Sequence, residues 1–199
     1  MIDITNISTN KPYNLFKEYY QKALQKKQEN IEAIVISSIN SIDRIADSRV
    51  VNLKYINQDE WVFFSNYNSV KASQFKKNPK ISALFFWSSC SIQIRMKAKI
   101  YKTDPIFSDK HFLKRSNTKN ALAISSDQSK VINSYNDVVL KYESVLSKED
   151  LSKRPNIWGG FSFKPYYFEF WEGHESRLNK RNVYEQSKNN EWLHYVLEP

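Results

Sequence analysis

Four short stretches set cations and hydroxyl or amide donors beside segments with strand chemistry. They are RVVNLK at 49–54, VFFSN at 62–66 followed by SVK at 69–71, Gln93 with Gln128 and Ser129, and EFWEG at 169–173 followed by RLNKR at 177–181. Arginine forks, lysine point charges and hydroxyl donors are the side-chain means of holding a phosphate. The chain has few other means. Its only glycines are Gly159, Gly160 and Gly173, so neither a G-x-G-x-x-G dinucleotide turn nor a G-x-x-x-x-G-K-[ST] phosphate loop can be written. A bound nucleotide would have to be gripped by side chains. Taken singly, each stretch reads equally well as a solvated strand end; the argument rests on their combination.

Other chemistries are excluded by the residues present. Cys90 is the single cysteine, which leaves no internal disulfide framework and no cysteine pair for zinc or an iron–sulfur cluster. His111, His174 and His194 form no HExxH or i, i+4 pair, so no metal site is expected, and no G-x-S-x-G elbow singles out a nucleophilic serine. The 199 residues are 41% hydrophobic and 15% aromatic, enough for one domain with a substantial core. A net charge of +9 favours anionic partners, whether phosphorylated ligands, nucleic acid or an acidic surface, although abundant Lys, Asn and Ile also fit compositional drift. The aromatic residues alternate with polar ones in strands as core residues do, so nucleic acid is not the expected partner. With no basic start leading into an apolar run and no long apolar window, neither a signal peptide nor a membrane span is expected, and a reducing cytoplasmic setting fits.

The elements that must position these residues follow from periodicity. Pro12 to Glu29 has helical spacing. Ile31–Ile39 and Arg49–Ile56 read as a hairpin, with Val51, Leu53 and Tyr55 alternating against Val50, Asn52 and Lys54. Glu60–Ser65 is a third strand, Ser69–Lys77 a short helix and Ile81–Trp87 a fourth strand. In Ser91–Lys102, Ile92, Ile94, Met96, Ala98 and Ile100 share one face, which puts Gln93 on the polar one. Two or three helices are predicted from Pro105 to about Leu146. After a charged connector (Ser147–Pro155), strands return at Ile157–Phe163, Tyr166–Trp171 and Trp192–Leu197. Strands, then helices, then strands with short links predict an α+β domain whose antiparallel sheet closes into a barrel.

In this order the stretches resemble the pyridoxamine 5'-phosphate oxidase family. RVVNLK, VFFSN with SVK, IQI at 92–94, QS at 128–129 in what the pattern makes a helical segment, WGG at 158–160, EFWEG and RLNKR each correspond to a family string, and the match runs from about Ile31 to Pro199. The resemblance implies a split β-barrel with flanking helices, a homodimer whose C-terminal segment from about residue 155 to 199 takes part in dimerisation, and FMN at the subunit interface. It implies oxidation of pyridoxamine or pyridoxine 5'-phosphate to pyridoxal 5'-phosphate, with oxygen reoxidising the flavin to give hydrogen peroxide. Carried over by position, Arg49, Ser69 and Lys71 would hold the FMN phosphate, with Lys54 and the Phe64–Ser65 backbone near the flavin. Gln93, Gln128, Ser129, Trp171 and Arg181 would complete that site. Lys54, His111, Arg115 and Lys119 would meet the substrate phosphate, and Arg177 and Asn179 would flank the substrate ring as the catalytic pair. Of seven arginines, Arg49, Arg115, Arg177 and Arg181 fall on these positions, while Arg44, Arg95 and Arg154 do not.

Several positions depart from the family pattern. Asn179 stands for the histidine and Lys180 for the aspartate of R-L-H-D-R. His111 and Lys119 stand where the pattern has tyrosine and serine, and Val70 and Ile92 each replace an arginine. Histidine as a donor and lysine as a point charge still suit a phosphate dianion. The loss of one charge-assisted contact at Val70 costs FMN binding about 1.5–3 kcal/mol. The substitutions leave two alternatives open: an FMN oxidase of the same fold acting on a phenazine-type ring, and a non-catalytic carrier of flavin or pyridoxal phosphate.

Overall fold

The strict alternation of residues 92–102 is that of a strand with one wet face, and the rest of the sheet assembles around it. A computed structural model describes residues 1–40 and 42–199. The elements are β1 (Asp3–Ile7), α1 (Lys11–Gln25), β2 (Ala33–Ile39), β3 (Ala46–Gln58), β4 (Glu60–Asn66), α2 (Val70–Lys77), β5 (Lys80–Trp87), β6 (Ile92–Lys102), α3 (Pro105–Leu113), α4 (Asn117–Ser125), α5 (Tyr135–Lys148), β7 (Trp158–Glu172), β8 (Lys180–Gln186) and β9 (Trp192–Val196). Strands β3, β2, β5, β6, β7 and β4 close into an antiparallel ring, because β4 pairs with both β3 and β7. Closure removes the exposed edges that a flat sheet would carry. Strands β8 and β9 extend the sheet from β7, and β1 lies parallel along β3.

The barrel interior is aromatic. Ile92, Ile94, Met96, Ala98 and Ile100 all point inward, as their spacing predicts. Helix α1 lays Tyr13, Phe16, Tyr20 and Ala23 on this core, with the Phe16 ring edge-on to Trp61 at 4.5 Å and Tyr13 edge-on to Phe168 at 5.2 Å. Each such fully buried ring contributes on the order of 1.5–3 kcal/mol of transfer free energy.

Three expectations are corrected. The C-terminal sheet holds one continuous strand where two were predicted: β7 runs through Lys164 and Pro165, and the interruption is absorbed as a register shift opposite Lys97 and Ala98 of β6. Strands β1 and β8 were not anticipated. Alternation in β3 also fails after Leu53. Leu53 faces Phe63 but Tyr55 faces Val62, so Lys54 is the extra residue of a bulge, and the next inward side chain is Ile56. Bulges re-aim side chains beside functional sites, and this one leaves Lys54 and Tyr55 both half-buried.

Gly160 sits where β7 passes Phe64 of β4. A Cβ there would lie 2.8 Å from Thr103 Cγ2 and 3.2 Å from Phe64 Cε1, with Thr103 Oγ1 closer still. Overpacking of this kind costs about 1–3 kcal/mol. Gly160→Ala is therefore expected to unfold at lower urea than the wild type by that margin, as equilibrium urea melts would measure.

Candidate functional site

One cleft of about 580 Å³ opens against β3 and β4, and its lining includes Arg49, Lys54, Phe64, Ser65, Lys71, His111, Arg115, Lys119, Gln128 and Ser129. Ten of the residues singled out by sequence therefore converge on one place. Asp47, Glu32 and Asp109 pair with cations nearby, but among the described residues no carboxylate lines the cleft itself.

The first group of cations comes from β3 and α2. Arg49 Nη1 donates to Ser38 Oγ at 2.8 Å and to the Ile36 carbonyl at 3.2 Å, while Nη2 donates to Gln74 Oε1 at 3.1 Å, so the guanidinium is fixed in orientation. Asp47 lies 4.0 Å away and offsets only part of the burial that lowers the Arg49 pKa. Lys71 Nζ donates to Ser65 Oγ at 3.1 Å and Ser69 Oγ at 3.3 Å and has no carboxylate partner among the described residues. Burial, and secondarily the charge of Arg49, push its pKa down. A buried ammonium held by hydroxyls alone is a site prepared for an anion.

The second group comes from the β3 bulge, α3 and α4. Lys54 Nζ is 3.8 Å from Glu32. The Arg115 guanidinium lies 4.2 Å from the centre of the Trp158 ring, its Nη2 donates to the Lys119 carbonyl at 2.9 Å, and its buried Nη1 has no partner among the described residues. Burial lowers the Arg115 pKa to about 10, so it stays charged at neutral pH. His111 is stacked face to face on Phe64, ring centres 3.7 Å apart and planes within 9°, and Trp158 stacks on Phe64 at 5.2 Å. Burial, then the charges of Arg115, Lys54 and Lys114, lower the His111 pKa to about 4, and it is neutral at physiological pH.

That depression makes a prediction about acid stability. The unfolded chain takes up a proton at His111 near its ordinary pKa of about 6.5, and the folded chain does not. Stability is lost as pH falls from about 6.5 toward 4, and the loss ends once the folded state protonates. In His111→Asn the decline in unfolding free energy between about pH 7 and pH 5 is expected to be shallower, as urea melts at the two pH values would show.

The remaining candidates lie elsewhere on the protomer. Ser69, fully buried, donates to the Asn66 carbonyl at 2.8 Å and reaches the cleft only through Lys71. Gln93, Trp171 and Arg181 form one row across β6, β7 and β8, since Gln93 is opposite Trp171 and Trp171 opposite Arg181. Arg181 donates through Nε and Nη2 to buried Glu169 at 3.0 and 2.8 Å and through Nη1 to the Glu198 carbonyl at 2.8 Å. Arg177 and Asn179 lie on the β7–β8 connection; Arg177 is exposed, with φ of 60°, and the Asn179 side-chain oxygen accepts from the His174 N–H at 3.0 Å. Gln128 and Ser129, given a helical setting by the resemblance, sit in a turn after α4, where Ser129 has φ of 74°. Sequence reasoning gave no role to Tyr55, whose hydroxyl meets His111, and noted Trp158 only within WGG.

A closed split barrel with a cationic, aromatic-walled cleft frames a site suited to phosphorylated ligands. Residues 158–199 match the model of the pyridoxine 5'-phosphate oxidase C-terminal dimerisation region. The pyridoxine/pyridoxamine 5'-phosphate oxidase of Aliarcobacter butzleri is 33% identical over 200 residues, covering all of this chain and 93% of that one. Pyridoxine/pyridoxamine 5'-phosphate oxidase 1 of Hydrogenovibrio crunogenus is 35% identical over 191 residues, covering 94% and 88%. In fold, the chain superposes on PhzG of Burkholderia lata 383, solved with tetrahydrophenazine-1-carboxylic acid, at a TM-score of 0.88 and 23% identity, covering 94% and 92% of the two chains. A pyridoxamine 5'-phosphate oxidase-related, FMN-binding protein of Nostoc punctiforme gives a TM-score of 0.78 at 12% identity, covering 96% and 99%. The chain belongs to the pyridoxine/pyridoxamine 5'-phosphate oxidase family.

Proposed function

We propose that this protein is an FMN-dependent oxidase that converts pyridoxamine or pyridoxine 5'-phosphate to pyridoxal 5'-phosphate, with oxygen as the final acceptor. The observation that carries the reading is the pair of cation groups lining a single cleft: Arg49 and Lys71 on one set of elements, Lys54, Arg115 and Lys119 on another. Two separately built anion sites fit two phosphates, one on the cofactor and one on the substrate. The unpartnered Arg115 Nη1 and the acid-free Lys71 are fitting donors for them. FMN, when bound, supplies the two-electron acceptor.

The chain's own residues orient and exclude. Arg49, Lys71 and the Ser65 hydroxyl would hold the cofactor phosphate, with buried Ser69 anchoring the Lys71 ammonium from behind, and Gln128 and Ser129 would complete the flavin site from the same cleft. Arg115, packed on Trp158, together with Lys54, His111 and Lys119 would fix the substrate phosphate and so hold the carbon to be oxidised close to the cofactor. The row Gln93, Trp171 and Arg181 and the loop with Arg177 and Asn179 are not in this protomer's cleft. In this proposal a second copy, docked through residues of about 155–199, brings them to it.

The test is a spectrum of the purified protein with FMN restored, followed by anaerobic pyridoxamine 5'-phosphate. Loss of the flavin absorbance near about 450 nm with formation of pyridoxal phosphate is the expected result. Bound flavin that no phosphorylated B6 vitamer bleaches would overturn the substrate and turn attention to a phenazine-type ring or a carrier role.

A further inference from the structure

We propose that Tyr55 is a positioning residue for the substrate phosphate: its hydroxyl donates to His111 Nδ1, which fixes the imidazole proton on Nε2 and presents His111 to the phosphate as a neutral N–H donor. This rests on His111 being a phosphate ligand, as in the function proposed above.

The geometry is that of a clamped ring. Tyr55 Oη lies 2.8 Å from His111 Nδ1, and the two rings meet edge to face, 84° apart with centres 5.3 Å from one another. Phe64 covers one face of the imidazole at 3.7 Å, and Phe107 packs edge-on against Tyr55 at 5.3 Å, so neither ring can swing away alone. His111 lines the cleft and Tyr55 does not, so the hydroxyl works from behind. Tyr55 reaches this place because the bulge at Lys54 breaks the alternation of β3; without the extra residue it would stay in phase with Leu53 and face the barrel interior.

Electrostatics select the proton arrangement. Burial, and after it the charges of Arg115, Lys54 and Lys114, disfavour a positive charge on His111. Burial, then Asp3, raises the Tyr55 pKa, which keeps the phenol protonated. A neutral imidazole has one N–H and one lone pair. The phenol O–H has no acceptor other than Nδ1 among the described residues, so the lone pair belongs on Nδ1 and the proton on Nε2. The reverse tautomer would strand the phenol proton and give the phosphate a lone pair facing its own negative oxygens.

Tyr55→Phe keeps the ring packing and removes only the hydroxyl. Long-range proton–nitrogen NMR spectra, with the His111 signals assigned by their loss in His111→Asn, should show a wild-type Nδ1 without a proton and a protonated Nε2. In Tyr55→Phe they should show a mixture. With FMN restored, the variant should bind pyridoxal 5'-phosphate roughly five- to tenfold more weakly, with its affinity for FMN and for pyridoxal, which lacks the phosphate, unchanged. A wild-type proton on Nδ1, a tautomer indifferent to the substitution, or unchanged pyridoxal 5'-phosphate affinity would each overturn the proposal. Wild-type protein that fails to bind pyridoxal 5'-phosphate at all would overturn the function it rests on, and the spectra would still decide the tautomer.

Discussion

Replacing Lys71 by methionine is expected to weaken FMN binding by roughly ten- to 150-fold while making the cofactor-free protein more stable. The first effect follows from the loss of a charge-assisted bond to phosphate, about 1.5–3 kcal/mol. It falls on a site where Val70, more than half exposed at 52%, offers no charge of its own, so under the proposed function Arg49 and Lys71 would carry the phosphate between them. The second effect has the opposite sign because no carboxylate among the described residues neutralises Lys71. Its pKa in the folded state is below the unfolded value. For a base shifted downward, the penalty is fully present below the folded pKa and is relieved as pH rises through it. Methionine, which fills the same space without charge, removes that penalty. Flavin titration and urea melts of the apoprotein measure the two effects separately. Unchanged flavin affinity would show that Lys71 is not a phosphate ligand; lower apoprotein stability would show that its two serine contacts outweigh its desolvation.

Such opposed effects explain why part of this site was legible in the sequence. A cation next to an apolar strand is conspicuous, but Arg49, Lys54 and Lys71 each read singly as a solvated strand end, and the family pattern is what gave them roles. Alternation in β6 gave a strand with one buried face, Ile92 to Ile100, and the closed barrel followed from the order of strands and helices and from the hazard of open sheet edges. What could not be read were features set by pairing partners distant in the chain. The bulge at Lys54 exists because β4 fixes Leu53 and Tyr55 in different registers, and no residue of β3 announces it. Strand β1 is short and gains its place from the far end of β3. Residues 180–186 were read for their charges, and the pairing with β7 that makes them a strand has no signature in RLNKR itself. The turn at Gln128–Ser129 shows the same limit: the family pattern located the residues, but their backbone, with Ser129 left-handed, depends on how α4 ends at Ser125.

Arg181→Met is expected to cost about 3–5 kcal/mol of stability, the penalty for leaving a buried carboxylate without its main partner. Glu169 is only 2% exposed, and its Oε1 takes both Arg181 bonds, while Oε2 takes Tyr167 Oη at 3.1 Å and the half-exposed Arg95 at 3.2 Å. Arg181 also ties the C-terminal segment to β8 through the Glu198 carbonyl. Arg95→Met, by contrast, removes a solvent-screened partner and should cost no more than about 1 kcal/mol. Adding Glu169→Gln to Arg181→Met takes away the stranded charge and should recover part of the loss. Urea melts at one fixed protein concentration would measure all three, since the family's dimerisation region includes Glu169 and Arg181. The result bears on function as well. Of the five N–H groups of a guanidinium, three are committed here, leaving two on the Nη atoms for a ligand. If Arg181 holds the flavin of a second protomer, it does so with those two alone, and its first duty is to keep β7 and β8 in register. A melt of Arg181→Met matching the wild type would reverse that order and make Arg181 a binding residue with no structural role.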